Sequence, residues 1–545
     1  MTRQCAVWWV IVVAGSVSGT GAWCAEESDR PVPAPQAIAA EAVRSSDDPV
    51  GRPLPLASHW NTGTHPPKDT FDPAWQVELI EKGHHLLSFL QLPDPSAPAT
   101  KKLSAEYYEA PITRLAALKL PLSLLSTQWE SLLTYDKVYL GLPADTNPNV
   151  VAVDGKIKPE VDPMGPVAPW REVGMKWTAS AGMQQLQALY PEPPLVVLVS
   201  NNEHAKLRWP KAEESKRYLD RYGKGKDEDF KRQVVAEGWM ERYRALLAGM
   251  KDGLASPVWK TNTRFVGYEA FGPPHFARWS GWKEYSLYVP KRIDWSPLVW
   301  DGGSPSYYVH NWNGSTDYTV WSPQVESMNW VFMLEAAAKL NPRFWFEIST
   351  WDGNVKERSD KRAFYAKKGQ TYNPERYSGM VRFGMWLLRP RVVREFRGWT
   401  EPRSVQGPYF LAIVDAVDEV YANATLRRFW RKGLLVPNRK YPHPYQVDVP
   451  DEYKNEDRWF MLDTSLDPER PWKAGTELPV FALALCLGKT PEREWLVYAH
   501  APLGLKQNVE LTIPEYGPVR ADVSPAGAFY HVSEKTGKAA AVKRD

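Results

Sequence analysis

The feature that most constrains the fold of this chain is an apolar run that ends abruptly in polar residues. Residues 195–199 are all Leu or Val, and the sequence Ser-Asn-Asn-Glu occupies 200–203. A strand that is apolar at every position is buried on both faces, which is typical of a parallel sheet covered by helices. The polar residues then lie at the carboxyl end of that strand.

The same pattern recurs along the chain, and helical patterns separate the runs. Strands that alternate with helices indicate repeated β/α units. Eight units in order favour an α/β fold, a closed (β/α)8 barrel over residues 53–433. The predicted strands are 53–58, 85–92, 121–127, 194–199, 264–268, 297–300, 343–349 and 391–396.

Residues 434–545 have a different pattern. Short strand-like runs follow one another there, separated by Pro, Gly, Asp and Lys, and no helical period intervenes. This organisation is typical of antiparallel sheets. We therefore expect a small C-terminal antiparallel β-sandwich after the barrel.

The amino terminus has the pattern of a secretory signal. Arg3 precedes an apolar run from Cys5 to Gly15, and small residues continue through Ala22. We expect a signal peptide over 1–24, a linker rich in Pro, Ala, Asp and Ser over 25–52, and a secreted or periplasmic protein. The apolar run is too short for a membrane helix and no later stretch approaches twenty apolar residues, so no membrane span is expected.

Composition and motifs exclude several other functions. The net charge is +3 with no basic or acidic block, which gives no electrostatic basis for binding nucleic acid. The sequence has no His-Glu-x-x-His, no paired Cys-x-x-Cys and no phosphate-binding glycine loop, so no metal or cofactor is expected. The three cysteines predict no disulfide framework. The 26 Trp and 25 Tyr residues suit the flat apolar faces of sugars, although many of these rings can fill the core.

Carboxylates lie at the ends of the fourth and seventh predicted strands. In a (β/α)8 barrel the residues that directly follow the strands build one site. Glycoside hydrolysis needs one carboxyl group to protonate the leaving oxygen and a second one to attack the sugar or to activate water. Glu203 and Glu347 approach the barrel mouth from opposite sides, so they are the predicted catalytic pair.

These residues support a resemblance to a known group. Asn202-Glu203 at the end of the fourth strand, together with Glu347 on the seventh, resembles the retaining glycoside hydrolases of clan A, which include β-galactosidases, agarases, cellulases and xylanases. The resemblance implies that Glu203 is the acid and base, that Asn202 binds the sugar 2-hydroxyl, and that Glu347 is the nucleophile. It implies no particular family within the clan.

Further residues after the strands are predicted to bind the substrate. They are His59, Trp60, Trp129, Glu269, Asp301, Tyr308, His310, Trp312 and Trp351. Arg389, Arg391 and Arg394 near the eighth strand either hold an anionic group on a sugar or form salt bridges with acids of the barrel.

The leading interpretation is a secreted retaining glycoside hydrolase that cleaves a poly- or oligosaccharide by double displacement. Two other classes stay open. One is a polysaccharide lyase or inverting hydrolase that uses residues such as His310 and Tyr308. The other is a non-catalytic carbohydrate-binding protein whose barrel has lost its chemistry.

Overall fold

Eight parallel strands form the central sheet of the protein. The computed structural model describes residues 35–60, 73–126, 133, 137–201, 207–268, 296–304, 331, 334–335, 337–352, 355–395, 403–438, 460–468 and 478–543. The central strands are β1 (Leu56–His59), β2 (Ser88–Gln91), β3 (Leu122–Ser126), β6 (Val196–Asn201), β7 (Thr263–Tyr268), β8 (Gly302–Ser304), β9 (Trp345–Ser349) and β10 (Val392–Glu395).

The sheet closes on itself. The strands pair in the order β1-β10-β9-β8-β7-β6-β3-β2, and a parallel bridge between Ala57 and Leu86 brings its first and last strands together. Most residues of these strands are buried, because helices cover the outside of the barrel and side chains fill the inside. The predicted (β/α)8 barrel is confirmed. A short antiparallel hairpin, β4 (Asn149–Val151) and β5 (Ile157–Val161), follows the third barrel strand.

Helices connect the barrel strands. The α-helices that the structure describes are α1 (Pro35–Val43), α2 (Pro73–Glu81), α3 (Ala110–Ala117), α4 (Lys137–Leu140), α5 (Ala168–Thr178), α6 (Ala181–Leu189), α7 (Lys216–Tyr222), α8 (Glu228–Gly253), α9 (Pro257–Asn262), α10 (Val355–Lys367), α11 (Pro374–Leu388), α12 (Arg403–Ala422) and α13 (Ala424–Lys432). Helix α11 begins as its sequence predicts, because the Asn373 side chain accepts a hydrogen bond from the Arg376 amide at 3.0 Å and Pro374 occupies the first turn.

The sixth barrel strand lies later in the chain than predicted. The apolar run 297–300 forms a 3₁₀ turn over Ser296–Leu298 and the buried Trp300, whereas β8 is built from Gly302, Gly303 and Ser304. Glycine is required at position 302 because a Cβ there would overlap the Trp345 backbone of β9. A strand made of small residues has no apolar run by which it could be recognised. The prediction therefore fell on the apolar residues of the preceding turn.

Helix α1 lies within the segment 25–52, which was expected to be a linker. Its Ile38, Ala39 and Ala42 side chains are buried in the main core. Glu41 accepts a hydrogen bond from the Leu54 amide at 2.6 Å and pairs with Arg431 at 2.9 Å. The alanine-rich sequence favours a helix despite the surrounding Pro and Asp residues. Helix α1 therefore packs against the amino ends of the barrel strands.

The C-terminal region forms two antiparallel sheets, as predicted. The first contains β11 (Leu434–Leu435), β13 (Phe481–Leu487), β14 (Glu494–His500), β17 (Ala528–Ser533) and β18 (Lys538–Ala541). The second contains β12 (Asp463–Thr464), β15 (Lys506–Ile513) and β16 (Gly517–Val523).

The larger C-terminal sheet is buried on both faces. Along β13, Ala482 and Ala484 face the smaller sheet, while Phe481, Leu483 and Leu485 belong to the core shared with the barrel. This alternation follows the period of two of a strand. The sandwich is consequently packed directly on helix α11. In the described part of the chain, no helix has the length and apolar character needed to cross a membrane.

Candidate functional site

Glu347 lies inside the barrel as half of a buried ion pair. It is the third of the five residues of β9, and its side chain is fully buried. Its Oε2 accepts hydrogen bonds from Arg394 Nη2 at 2.8 Å and Nε at 3.1 Å, and its Oε1 accepts one from Trp345 Nε1 at 2.8 Å. Both carboxylate oxygens are therefore held in a fixed orientation by donors.

Arg394 on β10 connects this carboxylate to the rest of the barrel interior. Its Nη1 donates to Ser58 Oγ at 2.6 Å, its Nη2 lies 3.4 Å from Ser123 Oγ, and its guanidinium carbon lies 4.5 Å from the centre of the Phe89 ring. The sequence left two roles open for the arginines, binding of an anionic sugar group or a salt bridge to a barrel acid. Arg394 forms the salt bridge, with Glu347. The charge-assisted hydrogen bonds of this buried pair fix the positions of both side chains.

Arg389 and Arg391 lie at the amino end of β10. Arg389 donates to the Trp430 and Gly433 carbonyl oxygens, and burial lowers its pKa. The Arg391 guanidinium lies 4.8 Å from the centre of the Trp345 ring, and burial lowers its pKa to about 10. These contacts place both side chains on the side of the barrel opposite to the carboxyl ends.

A second carboxylate, Asp352, follows the carboxyl end of β9. It is fully buried, its Oδ2 accepts a hydrogen bond from the Tyr372 hydroxyl at 2.8 Å, and its Oδ1 lies 3.8 Å from Arg358 Nη1. Arg358 and Lys361, both on α10, are each only 1% exposed. Asp352 lies five residues after Glu347, and no sequence pattern singled it out as a site residue.

A third carboxylate, Glu395, ends β10. The Tyr377 hydroxyl contacts its Oε2 and also donates to the Thr350 carbonyl oxygen at 2.9 Å. Thr350 and Glu395 thus share one tyrosine of helix α11, and no sequence pattern indicated this role for Tyr377. We call Thr350, Asp352, Tyr372, Tyr377 and Glu395 the strand-end cluster.

Aromatic rings surround the strand-end cluster. Tyr372 stacks between Tyr365 and Tyr409, with ring centres 5.6 and 6.1 Å apart and interplanar angles of 27° in both cases. Tyr377 meets Tyr409 edge to face at 5.6 Å. Stacked rings restrict the side chains and so fix where each hydroxyl points.

The end of β1 carries two residues that were predicted to bind substrate. Trp60 is 4% exposed, and its ring lies 5.5 Å from Phe89, the ring that also contacts Arg394. His59 is fully buried, and its ring meets Phe410 of helix α12 edge to face at 4.9 Å. The two neighbours therefore face opposite sides of the sheet, with Trp60 on the side of the ion pair.

Asp301 and Trp351 were also predicted to bind substrate. Asp301 Oδ2 accepts a hydrogen bond from the Phe265 amide at 2.9 Å, and the Asp301 carbonyl accepts one from the Trp345 amide at 2.8 Å. Since Asp301 precedes β8, it lies at the amino end of the strand, where it links β7 to β9 away from the strand-end cluster. Trp351 is partly buried beside that cluster and packs against the main core.

The remaining predicted site residues lie outside the described residues. They are Asn202, Glu203, Trp129, Glu269, Tyr308, His310 and Trp312. Strand β6, which precedes Asn202 and Glu203, is described to its last residue, Asn201. Within the described ranges, no group of three or more His, Cys, Asp or Glu side chains is arranged to hold a metal ion.

The closed sheet and its covering helices define the class of (β/α)8-barrel proteins, and solved structures with this fold include glycoside hydrolases. A GH36 α-galactosidase from Geobacillus stearothermophilus, in complex with raffinose, is 9% identical with a TM-score of 0.39, over 94% of this chain and 56% of that one. A family 39 glycoside hydrolase from Bacteroides cellulosilyticus WH2 is 11% identical with a TM-score of 0.38, over 88% and 81%. A putative α-galactosidase from Bacteroides fragilis NCTC 9343 is 9% identical with a TM-score of 0.35, over 91% and 80%.

This chain spans just over half the length of the GH36 enzyme. At these identities and TM-scores, the similarity carries no conclusion about the activity of this chain. No family model matches the sequence, and no curated protein matches it either.

Proposed function

We propose that the protein is a glycoside hydrolase that acts on a poly- or oligosaccharide. The observation that carries the proposal is the Glu347 carboxylate, which Arg394 and Trp345 hold inside a closed barrel whose strand ends carry further acids. A carboxylate that faces the barrel interior and is fixed in orientation by donors is what a glycosidase nucleophile requires. The fold is compatible with many reactions, so the support comes from these side chains.

The proposed reaction is a double displacement. Glu347 attacks the anomeric carbon while Glu203 gives its proton to the departing glycosidic oxygen, which forms a glycosyl ester and releases the first product. Glu203 then takes a proton from water, the water oxygen bonds to the anomeric carbon, and the ester breaks to regenerate Glu347. Asn202 binds the sugar 2-hydroxyl in this scheme. Carboxyl groups about 5–5.5 Å apart would give retention, and about 6.5–9.5 Å would give inversion.

Variants of the acids test this assignment. Activity is measured as released reducing ends on a polysaccharide panel and as cleavage of 4-nitrophenyl glycosides. We expect Glu347→Ala to abolish turnover and to regain part of it with azide, which forms a glycosyl azide of inverted configuration. Glu203→Ala should retain the first step on substrates with good leaving groups and give the retained azide product.

Asp352→Ala provides the comparison for the same strand. If azide restores Asp352→Ala and not Glu347→Ala, the nucleophile is Asp352 and the Glu347 assignment is wrong. Turnover with inverted product assigns an inverting hydrolase, and products with a new double bond assign a lyase. Sugar binding without turnover of any panel member identifies a carbohydrate-binding protein.

We also propose that the protein is exported. The support is the charged, apolar and small-residue pattern of residues 1–24. Expression in a bacterial host followed by amino-terminal sequencing tests this. Export predicts recovery from the periplasm or medium with a new amino terminus near residue 23 or 25, whereas an intact Met1 on cytoplasmic protein would contradict it.

A further inference from the structure

One buried arginine joins the C-terminal sandwich to the loop beside the strand-end cluster. Arg376 lies in the first turn of α11 and is 5% exposed. Its three guanidinium nitrogens contact the Thr371 carbonyl oxygen, the Gln370 side-chain oxygen and the Pro502 carbonyl oxygen. Two of these oxygens belong to the loop before α11, and the third belongs to the sandwich.

The sandwich also touches this loop directly. The turn after β14 brings Gly504 against Gln370, so that a Cβ at position 504 would lie 3.2 Å from Gln370 Nε2. Gly504 has a φ of +117°, a conformation that favours glycine. Nearby, the Tyr498 hydroxyl donates to the Gly379 carbonyl oxygen at 2.7 Å. The sandwich therefore contacts the loop through the turn after β14 and contacts helix α11 through β14 itself.

The loop carries the tyrosine that reaches Asp352. Tyr372 is the next residue after Thr371, and its hydroxyl donates to Asp352 Oδ2 at 2.8 Å. The Arg376 guanidinium carbon lies 5.0 Å from the Tyr365 ring centre, and Tyr365 stacks on Tyr372. Arg376 thus restrains Tyr372 in two ways. It binds the carbonyl oxygen of Thr371, the residue before Tyr372, and it packs on Tyr365, the ring that stacks on Tyr372.

We propose that Arg376 is a positioning residue through which the C-terminal sandwich holds Tyr372 on Asp352. The proposal rests on the proposed function in one respect, namely that the strand-end cluster belongs to the glycosidase site. The sandwich is then a structural part of that site, because its Pro502 carbonyl completes the set of oxygens that fixes the guanidinium. Without the guanidinium, the buried Pro502 carbonyl oxygen and the two partly buried loop oxygens lose this donor, and the loop 368–373 loses its hydrogen-bonded link to the sandwich.

Arg382 provides a matched control. It lies on the same helix, is 3% exposed and contacts Ser378 and Glu419, and among the described residues none of its hydrogen bonds reaches the loop or the sandwich. We expect Arg376→Met and Arg382→Met both to lower the melting temperature. Only Arg376→Met should increase hydrogen exchange in peptides covering 368–373, measured on the full-length protein without ligand.

The kinetic readout uses the 4-nitrophenyl glycoside that the wild-type protein cleaves fastest. Tyr372→Phe and Arg376→Met should each lower kcat on the order of tenfold with a smaller change in KM, since each removes the fixed donor to a carboxylate. The double variant should lose no more than either single one, because both act through the same hydrogen bond. Arg376→Lys should recover part of kcat, and Arg382→Met should leave it unchanged.

Two results would overturn the proposal. One is unchanged exchange over 368–373 in Arg376→Met, since the loop would then be held without the arginine. The other is an equal loss of kcat in Arg376→Met and Arg382→Met, which would reflect general destabilisation. If the wild-type protein cleaves no glycoside, the proposed function fails, and the exchange comparison alone still decides whether Arg376 holds the loop.

Discussion

Arg394 and Glu347 are joined by two hydrogen bonds, at 2.8 and 3.1 Å, and neither side chain is exposed to solvent. They lie on adjacent strands of the barrel, so the pair bridges β9 and β10 across its interior. An ion pair removed from water stabilises a fold only while both members are present, because a single buried charge has no compensation.

Removing one partner should therefore cost more than removing both charges. We expect Arg394→Met to lower the free energy of unfolding by about 3–5 kcal/mol. Glu347→Gln combined with Arg394→Met should cost less than Arg394→Met alone, since the amide oxygen of Gln still accepts from Trp345 Nε1. Urea unfolding of the four proteins measures this cycle. Additive losses would show that the two side chains are not coupled.

His500 should make the protein sensitive to acid. It is fully buried among the rings of Phe383, Phe481 and Tyr498, and burial lowers its pKa to about 3. The folded protein keeps this histidine neutral, whereas the unfolded chain binds a proton below its usual pKa of about 6.5. Its contribution to stability is therefore present above about pH 6.5 and is lost as the pH falls toward 3.

His500→Phe should remove this dependence while preserving the aromatic packing. The difference in unfolding free energy between the wild-type protein and the variant should change by up to about 1.4 kcal/mol per pH unit between pH 6 and 4. Urea unfolding at four pH values in that window provides the measurement. Parallel stability curves for the two proteins would contradict the prediction.

His84 should stabilise the protein more at low pH than at high pH, the reverse of His500. Its Nδ1 lies 2.7 Å from Asp418 Oδ2, and this hydrogen bond raises the pKa of His84. Burial alone would raise the pKa of Asp418, but its hydrogen bonds with His84 and His85 prevail and lower it. The contribution of protonated His84 is fully present below about pH 6.5 and is lost as the pH rises through its folded pKa.

The comparison uses His84→Ala against the wild-type protein. We expect the stability difference between them to be constant below pH 6 and to shrink on the alkaline side of neutrality. Unfolding in urea between pH 5.5 and 8.5 measures it. A difference that grows with pH would show that His84 contributes in its neutral form.

Helices α5 and α8 should tolerate no side chain where they cross. A Cβ at Gly249 would overlap the Arg171 carbonyl, and one at Gly174 would overlap the Leu246 carbonyl. Because the overlapping atoms are backbone, the helices must separate to accept a methyl group. We expect Gly249→Ala to lower the unfolding free energy by about 1–3 kcal/mol.

The control is Gly407 in helix α12, where the nearest atom to an added Cβ is a flexible Arg403 side-chain carbon at 3.6 Å. Gly407→Ala should cost less than Gly249→Ala, because its Cβ meets no backbone of another element and the strain before Pro408 is offset by the helix preference of alanine. Thermal unfolding of both variants measures the contrast. Equal effects would indicate that the crossing can relax.

The sequence predicted the barrel because seven of its strands contain large apolar residues such as Leu, Val, Ile or Phe. Both β6 and β9 were located within about two residues, since burial on both faces requires large apolar side chains. The misplaced strand, β8, consists of small residues. Gly302 is needed there because the Trp345 backbone lies too close for a side chain, and this contact cannot be read from the local sequence. Helix α10 was missed because seven of its 13 residues are charged, and no apolar face indicates where it packs.

The candidate site was less predictable than the fold. The apolar run of the seventh strand can select Glu347. It cannot show that two nitrogens of Arg394, 47 residues later, donate to the same oxygen of that carboxylate. The tyrosine contacts to Asp352 and Glu395 come from a loop and a helix that follow the seventh strand. Such contacts depend on how this loop and this helix pack against the barrel. The local periodicity of the sequence does not specify that packing.

Helix α1 and the last described residues share one face of the molecule. Glu41 of α1 binds the Leu54 amide just before β1, and the Lys543 carbonyl accepts from Asn423 at 3.2 Å, next to helix α13. Trp430 of α13 in turn donates to the Pro53 carbonyl at 2.8 Å. Both ends of the described chain therefore leave from the side opposite to the carboxyl ends of the barrel strands. A fusion partner, affinity tag or solid support joined directly at Pro35 or Lys543 would lie on the side of the barrel away from its mouth.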